Sequence, residues 1–403
     1  METVQTRCCI AGGGPAGIML GYLLARSGID VVVLEKWSDF FRDFRGDTIH
    51  PSTMDVLHEL GLLDEFLRLP HDETRQLKGY IGGEEITLAD FTRLKVRCPF
   101  IAFIPQWDFL NFISAKGKTF ATFHLMMETE ATDIIVENGR VAGVRAKNKQ
   151  GASEIRAELT VGADGRDSTI REKAGLPVAD YGAPIDVLWF RLPRRDDRTK
   201  QSLGYIDDGK FVVMLDRGDY WQCGFIIAKG GFDAIKERGL ESFKNDIAAL
   251  APFVSSAVGA LMDWEQVKLL SVCVDHLTRW YREGLLCIGD AAHAMSPVGG
   301  VGINLAIQDA VAAANVLVPA FRRNGPANAE FQKVQKRREF PTSATQRLQV
   351  FVHRRVIAPA LARRGRLRVP WLLRFFNLIP ALRWFPARFV GIGFRPEHVR
   401  IDF

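Results

Sequence analysis

No C-x-x-C pair occurs in this chain, and its six cysteines (8, 9, 98, 223, 273 and 287) fall into no His-bearing metal pattern. That excludes the common zinc frameworks and predicts free thiols, as in a reducing cytoplasm, with no metal site. No run of about 20 apolar residues is free of charge or helix breakers, so a membrane span is not expected. No secretory leader is legible either, because candidate chemistry begins almost at once, at Cys8. Internal repeats and low-complexity segments are absent, and the composition weighs against disorder, collagen and coiled coil as overall descriptions. From His353 to Pro396 there is no Lys, Asp or Glu but there are ten arginines. The formal net charge of +6 is therefore a tail of +10 on a body of −4. The balance describes a basic, apolar tail rather than a basic protein.

What is present is ordinary globular composition, 47% hydrophobic and 25% charged over 403 residues. At roughly 100–200 residues per domain, two or three structural units are expected. Arg7–Ala11 reads as a buried strand, Ile18–Arg26 as a helix and Ile29–Leu34 as a second, β-branched strand. His50–Leu67 has helical spacing broken at Gly61, Lys78–Phe91 predicts a hairpin, and Trp107–Lys116 a helix. Asn138-Gly139 marks a hairpin turn within Val136–Lys147. Strands are predicted at Leu159–Ala163, Asp186–Leu192, Phe211–Leu215 and Trp221–Ile227, with a turn at Arg217-Gly218-Asp219. Leu285–Ile288 predicts a strand entering a glycine-rich stretch, and Gly302–Val318 a helix.

Three segments carry chemistry. Gly12-Gly13-Gly14-Pro15-Ala16-Gly17 is a G-x-G-x-x-G between the first strand and helix. Gly12 permits the tight turn, Gly14 the approach of a pyrophosphate, and Gly17 close helix–strand packing. The helix N-terminus offers amides and a positive dipole end to phosphate. Glu35 closes the second strand, where a carboxylate can accept hydrogen bonds from ribose hydroxyls. The second segment, Val161–Arg171, places Asp164 in a glycine turn after a strand. The third, Leu285–Asn304, delivers Asp290 at a strand end and leads through a loop to a helix near Gly302.

Together these segments resemble the group A flavoprotein monooxygenases, the family of 4-hydroxybenzoate hydroxylase. Members carry a glycine fingerprint, an Ala-Asp-Gly motif and a Gly-Asp-Ala-Ala-His motif followed by proline and Gly-x-Asn, in the order seen here. The resemblance covers roughly residues 5–350. It implies an α/β fold with a Rossmann-type FAD-binding domain (the glutathione reductase-like flavin fold), an inserted β-rich substrate domain and a helical C-terminal segment. The FAD domain would comprise 1–75, 100–180 and 270–350. The substrate-side sheet would comprise 76–99 and 181–269, and the tail 351–403. By resemblance, Gly12, Gly14, Pro15, Ala16 and Gly17 hold the pyrophosphate. Glu35, with Lys36 beside it, holds the adenosine ribose, and Ala131 gives adenine a backbone contact. Arg45 lies near the flavin and influences nicotinamide binding, and Gln106 contacts the ribityl chain. Asp164 serves both FAD and NAD(P)H, and Gly289-Asp290 binds the ribityl chain. Pro297 and Gly300 pass beside the flavin. Amides near Gly302, Ile303 and Asn304 stabilise the negative charge of reduced flavin. His293 is read as structural, its ring satisfying nearby backbone.

No second G-x-G-x-x-G is found, so NADH or NADPH is expected to dock transiently. The resemblance implies an NAD(P)H- and O2-dependent monooxygenase that hydroxylates an electron-rich aromatic through a flavin C4a-hydroperoxide. A flavin-dependent reductase of a lipid-like substrate and a flavin-containing redox sensor are the alternatives. Trp189 and Arg191 share one strand face, and Trp221, Cys223 and Phe225 another. Tyr205, Arg217 and Tyr220 are the candidates for polar substrate contacts. The tyrosine pair of 4-hydroxybenzoate hydroxylase is not identifiable, which weighs against a simple phenol-acid substrate. The tail, broken by prolines 370, 380 and 386, is open to two roles. It packs on the body or a second subunit, or it lies on an anionic membrane surface. Its hydrophobicity argues against nucleic-acid binding.

Overall fold

The computed structural model describes residues 2–41, 48–194 and 203–402. Arg45 lies outside the described residues. The larger sheet has eight strands. Its parallel centre runs Leu285–Cys287, Gly151–Gly162, Glu2–Ala11, Val31–Leu34, Phe123–Met126. Val31–Leu34 is buried at every position, as is Cys8–Ala11. Strands covered on both faces need continuous apolar runs, which is what these segments supply. The Pro15–Arg26 helix packs against both Gln106–Gly117 and Gly302–Phe321. The last of these is apolar and long enough to cross a membrane, but it is a core helix, with 83% of its apolar window buried.

The Gly151–Gly162 strand is longer than its apolar end predicts. One edge pairs with Glu2–Ala11 throughout; the other is divided between Arg140–Asn148 and Leu285–Cys287. Arg140–Asn148 returns from Glu130–Glu137 through Asn138 and Gly139, whose φ values of 50° and 83° suit a type I′ turn.

A second sheet of seven strands runs Lys268–Leu270, Ile185–Pro193, Tyr220–Ala228, Lys210–Asp216, Leu203–Asp207, Gln76–Ile81, Glu84–Asp90. One face carries Phe190, Tyr205, Trp221, Cys223 and Phe225 against Phe243 and Ile247 of the Leu240–Leu250 helix. The other carries Val187, Trp189, Phe211 and Val213 against Val298, Val352 and Leu361.

The 25-residue helix Asn328–Val352 has no counterpart in the sequence prediction. Its buried stripe includes Gln335, Arg338, Thr342, Gln346 and Gln349. These positions have helical spacing but polar chemistry, so a search for apolar periodicity passes over them.

The tail packs on the body. Its extended part is held by Asp208 and Asp207, which accept from Gly365 N at 2.6 Å and Leu367 N at 2.7 Å. The Leu367 carbonyl lies so close to Gly82 that a Cβ there would collide with it. Helices Trp371–Leu378 and Trp384–Gly391 then lie along Glu84–Asp90 and the turn after it. Ala387 is fully buried beside Ala89, Phe91 and Phe103. Pro386 does not break this segment as predicted: it is the third residue of its helix, in the turn whose amides need no partner within the helix.

Candidate active site

The fingerprint glycines meet three different surroundings. Gly12 has φ of 108°, and a Cβ there would collide with the Ala163 carbonyl, one residue before Asp164. A Cβ at Gly17 would collide with the Gly12 carbonyl. A Cβ at Gly14 would meet nothing within 4 Å. Two glycines are therefore required by the protein itself, and the third faces open space. Gly14 is also the N-cap of the Pro15–Arg26 helix and provides no side-chain cap. The first-turn amides are thus directed at a glycine-lined space, the geometry that suits a phosphate.

Glu35 is buried at 8% exposure, and its carboxylate accepts from Gly13 N at 3.2 Å and Trp37 N at 3.1 Å. Its carbonyl accepts from Thr129 N at 2.9 Å, which brings Ala131 toward the same strand end. Lys36 stands 4.0 Å from Glu130. Sequence candidates 35, 36 and 131, separated by about a hundred positions, are thus neighbours. Gln106 opens the Gln106–Gly117 helix and is half-buried.

Asp164 accepts from Ser168 Oγ at 2.5 Å and Ile170 N at 3.0 Å. It caps the Thr169–Lys173 helix together with Ser168, so its carboxylate does local work. Burial raises its pKa above the ordinary value, partly offset by these hydrogen bonds. Asp290 differs. Its side chain is 35% exposed and lies 4.0 Å from Arg166. Gly289 beside it is pinned, because its N–H donates to Asp309 Oδ2 at 3.0 Å.

Asp309 is the residue that sequence reading missed. It is fully buried, and Oδ2 also meets His293 Nε2 at 2.5 Å while Oδ1 accepts from Arg338 Nε at 2.8 Å. Burial alone would raise its pKa, yet His293 and Arg338 hold it below the ordinary carboxylate value. Arg338 reaches on to Glu397 at 3.5 Å. The His293 ring, expected to satisfy nearby backbone, meets this carboxylate instead, with the Trp280 ring 5.0 Å away. The available signal was the single charged residue in the 302–318 stretch.

The loop that follows is fixed by the polar stripe of Asn328–Val352. Gln346 donates to Ala294 O at 2.9 Å; Gln349 donates to Ser296 O at 3.0 Å and Val298 O at 2.9 Å. This sets Pro297 and Gly300 on a rigid path. The Asn304 side chain is committed to structure: its Oδ1 accepts from His50 N and Thr53 Oγ1, and its Nδ2 donates to Thr48 O. Only the backbone amides of Gly302, Ile303 and Asn304 remain for a ligand role, and a Cβ at Gly302 would meet open space.

The second sheet divides the substrate candidates. Tyr205, Trp221 and Cys223 face the Leu240–Leu250 helix in a packed core, at 8%, 3% and 0% exposure. Trp189 lies on the other face, its ring beside Gly224. Arg191 stacks over Tyr220 at 4.8 Å, and Arg217 donates to Gln222 at 3.2 Å. Arg191, Tyr220 and Arg217 lie toward the Pro193–Tyr220 end of the strand pair Ile185–Pro193 and Tyr220–Ala228, and Trp189 at its middle.

Residues 5–347 match the family described as FAD binding domain. The chain belongs to that family. A 6-methylpretetramide 4-monooxygenase of Streptomyces rimosus is 33% identical over 359 residues, covering 89% of this chain and 86% of that protein. An uncharacterized aromatic compound monooxygenase of Bacillus subtilis (strain 168) is 24% identical over 344 residues, and the chain spans 62% of its length. A p-nitrophenol 4-monooxygenase from Pseudomonas putida DLL-E4 has the same fold, with a TM-score of 0.77 at 20% identity over 96% of this chain and 97% of that one. The protein is a group A FAD-dependent monooxygenase. Its residues fit the cofactor: a glycine cradle open at position 14, an uncapped helix end, a buried acid at the second strand and a half-exposed acid at position 290.

Proposed function

We propose that this flavoprotein hydroxylates a planar, fused-ring aromatic of the polyketide class, with NAD(P)H as electron donor. The observation that carries the reading is the similarity to the 6-methylpretetramide enzyme along 89% of the chain. The second sheet is consistent with it. Trp189, Phe211 and Val213 are only partly buried and pack on the same apolar cluster as Val298, the neighbour of Pro297. Arg191, Arg217 and Tyr220 place polar groups toward the Pro193–Tyr220 end of the strand pair, where ring hydroxyls and carbonyls would be oriented.

When bound, FAD supplies the redox and oxygen chemistry. The protein's own tasks are separate ones. Amides of the Pro15–Arg26 N-terminus would hold the pyrophosphate, Glu35 the adenosine ribose and Asp290 the ribityl hydroxyls. The Gly302 helix end would favour negative charge at the flavin pyrimidine. The apolar sheet face orients the substrate ring and excludes water. Overall, one oxygen atom enters the ring and the other leaves as water, with two electrons from NAD(P)H.

The test is NAD(P)H oxidation by FAD-loaded protein with a panel of phenols and fused-ring polyketides, following oxygen uptake, peroxide and product mass together. Substrate-stimulated oxidation with one added oxygen atom is expected, greatest for fused-ring members. A reduced product formed equally well without oxygen would overturn the proposal.

A further inference from the structure

The helix Trp371–Leu378 leaves large apolar side chains in solvent. Among its described side chains Leu373 and Asn377 are half-buried, and the Asn377 carboxamide oxygen accepts from Thr87 N of the second sheet. Trp371, Phe375 and Leu378, at i, i+4 and i+7, are 78%, 46% and 78% exposed. The next helix repeats the arrangement. Ala387 and Gly391 are buried on the body, while Phe385 and Phe389 are exposed at 50% and 40%. A helix normally buries its apolar stripe, and contiguous exposed apolar surface marks an interaction site.

The charge around this face decides its partner. Arginines 354, 355, 363, 364, 366 and 368 are exposed along the segment leading to it, and no acid occurs between 353 and 396. Arg374, between the exposed residues, reaches back to Glu84 at 2.8 Å. A second copy would bring arginine against arginine. A partner of opposite charge that accepts protruding side chains without a matching cavity fits better.

We propose that this face docks onto an anionic phospholipid surface, with Trp371, Phe375 and Leu378 among the acyl chains and the tail arginines at the headgroups. Aromatic and aliphatic residues supply the insertion, and arginine supplies the preference for negative lipid.

The experiment is co-sedimentation of the full-length, FAD-loaded protein with vesicles. One set is phosphatidylcholine alone, the other equal parts phosphatidylcholine and phosphatidylglycerol. Binding to the anionic set only, weakened by added salt, is expected. Joint replacement Trp371→Ser, Phe375→Ser and Leu378→Ser, at positions exposed to solvent, should lower partitioning at least about tenfold with flavin content unchanged. Arg364→Glu with Arg368→Glu should lower it while leaving the apolar face intact. Failure of the unmodified protein to bind the anionic vesicles, or equal binding to both sets, would overturn the proposal. So would a dimer in light scattering that the triple serine variant dissociates, since the face would then be an interface between copies.

Discussion

A methyl group added at Gly14 would enter open space, whereas one added at Gly17 would strike the Gly12 carbonyl. The same substitution should therefore have opposite consequences at two positions of one motif. Gly14→Ala is expected to unfold within about 1 kcal/mol of the parent, because only a cap preference changes, yet to bind FAD at least about tenfold more weakly. Gly17→Ala is expected to lose roughly 1–3 kcal/mol of stability through overpacking. Thermal unfolding of the apoproteins and flavin titration separate the two; equal stability losses would refute the distinction. At this scale the sequence was informative where spacing is the signal. Glu35 and Asp290 could be placed because each sits a fixed distance from a strand end and a glycine turn. Trp189 and Trp221 could not be separated the same way. Alternation along a strand says which residues share a face, but not which face meets a helix and which meets the active site. The Leu240–Leu250 helix covers the face of Trp221 and Cys223.

Among elements, the βαβ unit, the hairpin at Asn138-Gly139 and the core helix from Gly302 were legible, because each is apolar at its own period. Asn328–Val352 was not, because beyond Phe331 and Val334, which join the core, what it buries is mostly polar: Gln335, Arg338, Thr342, Gln346 and Gln349. Gln346 and Gln349 satisfy loop carbonyls at 294, 296 and 298. His50 is a similar junction. It is fully buried, its N–H donates to Asn304 Oδ1, and its Nδ1–H donates to Val390 O at 2.7 Å. It thus ties the Thr48–Ile49 strand, the Gly302 helix and the tail together. Burial pushes its pKa down to about 4 from 6.5, partly countered by the Val390 bond. The unfolded chain therefore takes up a proton that the folded chain refuses. The His50 contribution is complete above pH 6.5 and is lost as pH falls from there toward 4, amounting to about 3 kcal/mol. His276 and His353, also lowered by burial, act in the same direction. Melting temperature followed from pH 7 to pH 4.5 should fall more steeply for the parent than for His50→Gln; parallel curves would show that His50 is not a source of the acid sensitivity.

For the whole molecule, the tail is part of the fold. Removing residues after Gly365 would strip the Leu367 contact with Gly82, the Ala387 packing and the Glu397 partner of Arg338. Breaking a buried charge pair alone costs about 3–5 kcal/mol, a large share of a typical domain's stability. The truncated protein is expected to be poorly soluble and to lack flavin, as measured by soluble yield and visible absorbance. A soluble, flavin-loaded product would show the tail to be an accessory. The sequence marked this segment by its arginines and prolines, but composition could not say which residues dock, since small ones, Ala387 and Gly391, make the contact.

The chain from Glu397 to Arg338, Asp309 and Gly289 has a consequence for action at a distance. The turn at Gly289 is held by the Asp309 carboxylate, which is paired with an arginine that Glu397 of the tail also meets. A change at Glu397 should therefore be felt at that turn through two intervening side chains, with no contact of its own there.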